Sequence, residues 1–129
     1  MAGIEKIAVI GAGVMGSGIA AQIANAGCEV LLLDIVPKGA DNRNQLAESA
    51  LQKLRRNKPA AFMQEKFSRH IQPGNLEDDL DRLAECDWII EAVIERLDIK
   101  RKIYQTLQTH RKSGSIVSSN TSTLPLEQL

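Results

Sequence analysis

A surplus of either charge is what this sequence most plainly lacks. Sixteen Lys and Arg residues balance sixteen Asp and Glu. No net field gathers a polyanion, so neither nucleic acid nor an anionic membrane surface is an expected partner. Cysteine is scarce too. Cys28 and Cys86 stand in unrelated contexts without metal-ligand spacing, and both read as buried or bystander thiols of a reducing compartment. No apolar run approaches the roughly 20 residues of a membrane span, and no internal repeat or low-complexity stretch appears. The first apolar run begins within a few residues of Met1. That leaves no room for a signal or transit peptide, and a cytoplasmic location is expected. The 129 residues suit one domain with its own core.

What is present is concentrated near the start. A short apolar run, Ile7-Ala8-Val9-Ile10, meets Gly11-x-Gly13-x-x-Gly16, and a helix-like segment follows at once. A glycine triplet alone is a weak signal. Here it stands between a strand and a helix, and an acidic residue, Asp34, closes a second apolar run about 20 residues on. Each glycine then has a physical role. Gly11 makes the tight turn, Gly13 admits a pyrophosphate to the backbone, and Gly16 lets the helix pack close to the strand. The phosphates would meet free N–H groups at the positive end of that helix. A strand-to-helix turn with no ligand is the plainer alternative.

The rest of the chain alternates. Residues 4–10 read as a strand buried on both faces, because the apolar run is nearly continuous. Residues 14–26 read as a helix with Ile19, Ile23 and Ala26 on one side and Gly27 as its stop. Val30 to Leu33 read as a second buried strand. Residues 40–57 carry Leu46, Ala47, Ala50, Leu51 and Leu54 at helical spacing, the pattern of an amphipathic surface helix, which Pro59 breaks. Its basic end, Lys53, Arg55, Arg56 and Lys58, reads as a solvated terminus suited to the macrodipole; the alternative is a contact for a CoA phosphate. Residues 60–68 are loop or short helix. His70 and Ile71 open a third strand, stopped by Pro73-Gly74, and residues 75–81 look like an acidic helix start. A strand over 87–91, a helix over 97–112 and a strand over 115–118 follow. Pro125 suits the first turn of a further helix. This order predicts a doubly wound α/β domain of Rossmann type, with a mainly parallel sheet and helices on both faces.

Asp34 bears on the cofactor. A carboxylate there accepts hydrogen bonds from adenosine ribose hydroxyls and repels a 2′-phosphate, whereas an NADP site favours a small residue with an arginine beside it. Ile35 and Val36 follow instead, and the nearest cation in sequence is Lys38. NAD is the expected cofactor. Ligands of such sheets bind beyond the carboxyl ends of the strands, which puts Glu91, Glu95 and the polar run Ser119–Thr123 in question as well. Lys100 lies near a helix start, where a cation opposes the macrodipole. It is either held for a partner such as Glu95 or a cofactor hydroxyl, or simply solvated. Ser122 or Thr123 also suits a helix cap, and Asn120 an ordinary turn.

Taken together, Gly-Ala-Gly-Val-Met-Gly at 11–16, Leu-Leu-Asp at 32–34, Ile-Glu-Ala-Val-Ile-Glu at 90–95 with Lys100, and Ser-Asn-Thr-Ser-Thr at 119–123 resemble the NAD-binding domain of L-3-hydroxyacyl-CoA dehydrogenases. The likeness runs over essentially the whole chain. It is strongest to the multifunctional bacterial fatty-acid β-oxidation proteins, which join this dehydrogenase to an enoyl-CoA hydratase module. The resemblance implies that Val14 and Met15 lie against the cofactor at the phosphate turn and that Asp34 holds the adenosine ribose beside Ile35. It implies that Val93, Ile94 and Glu95 line the nicotinamide side, that Lys100 reaches a cofactor hydroxyl or carboxylate partner, and that Asn120 shapes the nicotinamide pocket. Ser122 matches the serine that contacts the substrate's 3-oxygen and the nicotinamide.

The sequence also departs from the family. The general-base histidine lies beyond the Ser-Asn-Thr-Ser loop in a His-Phe-Phe-Asn-Pro type segment, past Leu129, and neither His70 nor His110 matches that position. Residues 1–129 are therefore expected to form the NAD-binding domain of a longer enzyme whose catalytic and dimerisation domain is absent here, and to be inactive alone. The substrate implied is a 3-hydroxyacyl-CoA, and the full-length assembly a dimer or multifunctional complex. A related cofactor domain (3-hydroxybutyryl-CoA, gulonate or hydroxyisobutyrate type) and a non-catalytic NAD-binding module are the alternatives.

Overall fold

The computed structural model describes residues 5–36, 39, 41–56, 69–92, 97–111 and 114–119; the side chains of residues 97–100, 102 and 119 lie outside that description. Five parallel strands form one sheet: β1 (Lys6–Ile10), β2 (Glu29–Asp34), β3 (Ile71–Asn75), β4 (Trp88–Glu91) and β5 (Ile116–Ser119), in the spatial order β3-β2-β1-β4-β5. Helices α1 (Val14–Asn25), α2 (Gln45–Arg56) and α3 (Leu97–His110), with a short 3₁₀ helix at Leu80–Glu85, make the connections. The chain runs left from β1 to β3, then crosses to β4 and runs right. The carboxyl ends of β1 and β4 thus flank the point where the strand order reverses, which is where such sheets take ligands.

Strand side chains alternate between two faces, and each face has its own core. Val9, Val30, Leu32 and Ile71 pack against Ala20, Ala21 and Ala24 of α1 and against Ala47, Ala50, Leu51 and Leu54 of α2. Ala8, Ile10, Leu31, Leu33 and Ile89 pack on the other side against Leu83, Cys86 and Leu107. Helices cover both faces of a parallel sheet, as the apolar runs of β1 and β2 require. On α1 the buried stripe is the alanine one. Ile19 and Ile23 are only half-buried at its border, and Ala26 is exposed. Small side chains bring the helix axis close to the sheet, and Gly16 does the same at its first turn. Gly27, at φ 90°, ends the helix as expected.

Most element ends shift by a residue or two from the sequence-based expectation, and three differences are larger. α2 begins at Gln45 rather than near residue 40, because Asn42 holds the approach in turns. Its Oδ1 accepts from Asn44 N–H at 3.0 Å and its backbone oxygen from Gln45 N–H at 3.2 Å. β3 is not stopped by Pro73-Gly74; it runs through both to Asn75. Proline is tolerated there because β3 is an edge strand, with β2 its only partner among the described residues. Gly74 leaves room for the Asp79 carboxylate, whose Oδ2 would lie 2.5 Å from a Cβ at that position. The acidic segment after it is not a helix start. The Asn75 side chain accepts from the N–H groups of Glu77 and Asp78 at 2.9 and 2.7 Å, making a turn before the 3₁₀ helix. Residues 57–68, including Pro59, lie outside the described residues.

Candidate functional site

The site is built where β1 turns into α1. Gly11 takes φ 109°, a conformation open to glycine, and its N–H donates to the Leu33 carbonyl at 2.7 Å. Gly13 caps α1 with extended backbone and no side-chain hydrogen bond, and the first turn carries no acidic residue. The first N–H groups of α1 have no intrahelical acceptor, and the helix's own first turn supplies no carboxylate to balance the positive end of the macrodipole. Val14 and Met15 stand at this turn 96% and 62% exposed, two apolar side chains on the open rim of an anion-binding helix end.

The glycines separate into two kinds. A Cβ on Gly16 would fall well inside contact distance of the Gly11 carbonyl oxygen, so this glycine is demanded by the fold itself. A Cβ on Gly13 would meet no atom within 4 Å, and its backbone is one any residue adopts. The protein does not need glycine at 13 for its own packing. Open space of this kind is what a ligand lying against the backbone would require.

Asp34 ends β2 and reaches across to the same turn. Its Oδ2 accepts from the Ala12 N–H at 2.7 Å and its Oδ1 from its neighbour Ile35 N–H at 2.7 Å. An ionised carboxylate has about four acceptor positions, so these two bonds leave capacity for a pair of ribose hydroxyls. Ile35, 58% exposed, opens a pocket of 480 Å³ whose apolar walls are Val36, Leu76, Leu80, Ile103 and Leu107, a surface suited to a flat heteroaromatic ring. Of these walls, Ile103 and Leu107 come from α3, and the sequence pattern singled out neither Leu76 nor Leu80. The rule that ligands sit beyond strand ends would have found Leu76, had β3 been carried through to Asn75.

Glu91 ends β4 fully buried beside Ile10 and Ser119. Gly11, Gly13, Val14, Met15, Gly16, Asp34 and Ile35 are thus brought together along one edge. Val93, Ile94, Glu95, Asn120 and Ser122 lie outside the described residues, as does the side chain of Lys100, whose backbone is in the first turn of α3. His70 lies half-buried before β3, and His110 ends α3 with Nδ1 3.0 Å from the Thr106 carbonyl. Among the described residues no group of His, Cys, Asp and Glu is arranged to hold a metal, and no helix is long and apolar enough to cross a membrane.

A helix start without a side-chain cap, a glycine with open space above it and a carboxylate at the end of the adjacent strand make the arrangement of a dinucleotide-binding domain. The family described as 3-hydroxyacyl-CoA dehydrogenase, NAD binding domain, matches residues 6–129. A probable 3-hydroxyacyl-CoA dehydrogenase of Bacillus subtilis (strain 168) is 49% identical over 98% of this chain, which covers 18% of that protein. A putative fatty acid oxidation complex trifunctional enzyme of Rickettsia felis is 44% identical over 98% of the chain and 18% of its own length. In three dimensions the chain is similar to the dehydrogenase part of multifunctional enzyme 1 from C. elegans, with a TM-score of 0.73 and 26% identity over 97% of this chain and 28% of that one. The chain belongs to the family of 3-hydroxyacyl-CoA dehydrogenase NAD-binding domains, and its cofactor is NAD. It spans about a fifth of the length of the two curated relatives.

Proposed function

We propose that this chain is the cofactor-binding part of an enzyme that oxidises the 3-hydroxyl of an L-3-hydroxyacyl-CoA to a 3-oxo group, a step of fatty-acid β-oxidation. The observation that carries the reading is the Asp34 carboxylate set on the Ala12 N–H beside an open Gly13. NAD, when bound, supplies the acceptor for the hydride leaving the 3-carbon. The chain's own residues bind and orient it. The α1 N-terminus takes the diphosphate, Asp34 accepts from the adenosine ribose hydroxyls and excludes a 2′-phosphate, and the pocket beside Ile35 takes the adenine.

On this reading Val93, Ile94, Glu95, Lys100 and Asn120 surround the nicotinamide, and Ser122 contacts the 3-oxygen of the substrate. The general base that removes the hydroxyl proton is a histidine supplied from outside residues 1–129, where the acyl chain is also held. The full-length protein works as a dimer or within a multifunctional complex in the cytoplasm.

The test is a paired titration with NADH and NADPH, followed by nicotinamide fluorescence and by energy transfer from Trp88, the single tryptophan. Saturable NADH binding, with NADPH at least about tenfold weaker (~1.4 kcal/mol), is expected. Equal affinities would refute the role given to Asp34. A folded chain that binds neither would refute the site. A protein extended past Leu129 should then oxidise NADH with acetoacetyl-CoA, and failure there would refute the substrate class.

A further inference from the structure

The segment after β2 contains an arginine, and the fold has already engaged it. In sites of this kind an arginine near the end of β2 is what accommodates the 2′-phosphate of NADP. Arg43 lies in that segment, yet its guanidinium grips the turn after β3. Nε and one terminal nitrogen reach both oxygens of Asp78 at 2.8 and 3.2 Å, and Glu77 stands 3.6 Å away. This two-pronged geometry is the strong form of a carboxylate contact.

The acceptor is itself held. Asn75, buried at the end of β3, donates to Asp78 Oδ2 at 2.9 Å and to Asn44 Oδ1 at 2.6 Å, and accepts from the Asp78 N–H at 2.7 Å. Asn75 also pairs with Asp34 across the sheet, and the next N–H, of Leu76, donates to the Asp34 carbonyl at 2.9 Å. The arginine is therefore two hydrogen bonds from the residue beside Asp34. Arg43 holds the Asp78 carboxyl below its usual range, with help from the Asn75 amide, and Asp78 raises Arg43 in turn.

We propose that Asp78 and Glu77 are specificity residues that hold Arg43 away from the cofactor, so that the site discriminates against NADP twice, once through Asp34 and once by denying a 2′-phosphate its cation. The inference rests on the NAD reading above and adds to it. Glu77 also lines the pocket beside Ile35, which adds negative charge on the adenosine side.

The test compares NADH and NADPH dissociation constants for the wild-type chain, Asp78→Asn with Glu77→Gln, that pair with Arg43→Ala added, and Arg43→Ala alone. An asparagine at 78 keeps an acceptor for the Asn75 amide, and an unchanged circular-dichroism spectrum and urea midpoint serve as the folding control. The double variant should bind NADPH about three- to fivefold better relative to NADH. Adding Arg43→Ala should abolish that gain, and Arg43→Ala alone should leave the ratio unchanged. An unchanged ratio in the double variant overturns the proposal. So does a gain that survives Arg43→Ala, since lost repulsion would then account for it. Absence of NADH binding to the folded wild-type chain would instead defeat the NAD reading itself.

Discussion

The carboxylate of Asp34 accepts the backbone N–H of Ala12 at 2.7 Å, tying the end of β2 to the glycine turn that leaves β1. One side chain therefore shapes the glycine turn and, on the proposed reading, also recognises the ribose. Substitutions should separate the two roles. Asp34→Ala removes both backbone contacts and is expected to cost about 1–3 kcal/mol of stability, read by urea denaturation, along with most NADH affinity. Asp34→Asn retains an acceptor for Ala12. It should recover much of the stability while losing the preference for NADH over NADPH. An asparagine variant with wild-type discrimination would show that the carboxylate charge is not what excludes the 2′-phosphate.

The second and third glycines of the motif should fail in opposite ways. Gly16→Ala pushes a methyl group into the Gly11 carbonyl, so the turn or the helix must shift. A loss of about 3 kcal/mol or more is expected, visible as a lowered melting temperature. Gly13→Ala finds open space and an ordinary φ of −75°, so the fold should keep its stability or gain about 0.4–1 kcal/mol. Its NADH affinity should nevertheless fall at least about tenfold. A Gly13→Ala chain that binds NADH normally would mean the diphosphate does not approach there.

Cys86 supplies a pH signature. Burial pushes its thiol up from the ordinary value of 9.0 to about 11. Below pH 9 both folded and unfolded chains keep the proton. Above it the unfolded thiol ionises while the folded one does not, so stability declines as the pH rises toward about 11. Denaturation across that window should show a steeper fall for wild type than for Cys86→Ala, whose overall stability is lower because of the cavity. In native protein near neutral pH, a thiol reagent should modify half-buried Cys28 before Cys86. Rapid modification of both thiols would contradict this burial.

Local chemistry made the first half of the site legible. The apolar runs of β1 and β2, the glycine spacing and Asp34 all lie within about 30 residues of one βαβ unit, where chain order and spatial order agree. The amphipathic face of α2 was equally readable, since burial at helical spacing needs no knowledge of partners. The edge position of β3 was not readable. Pro73 and Gly74 look like a stop until the sheet shows that the outer side of that strand needs no N–H and that Asp79 fills the space above the glycine. From that one misplaced boundary followed the missed pocket wall at Leu76 and Leu80.

The sequence by itself determined the fold class, the turn and the cofactor, because each depends on residue type at short spacing, and its resemblance over nearly the whole chain gave the family. Tertiary structure alone decided where Arg43 points. That residue lies 35 positions from Asp78, and only the pairing of β2 with β3 brings the two segments together. Whether a cation meets a ligand or a carboxylate depends on which groups the sheet places within reach, and long-range register is not written in local pattern.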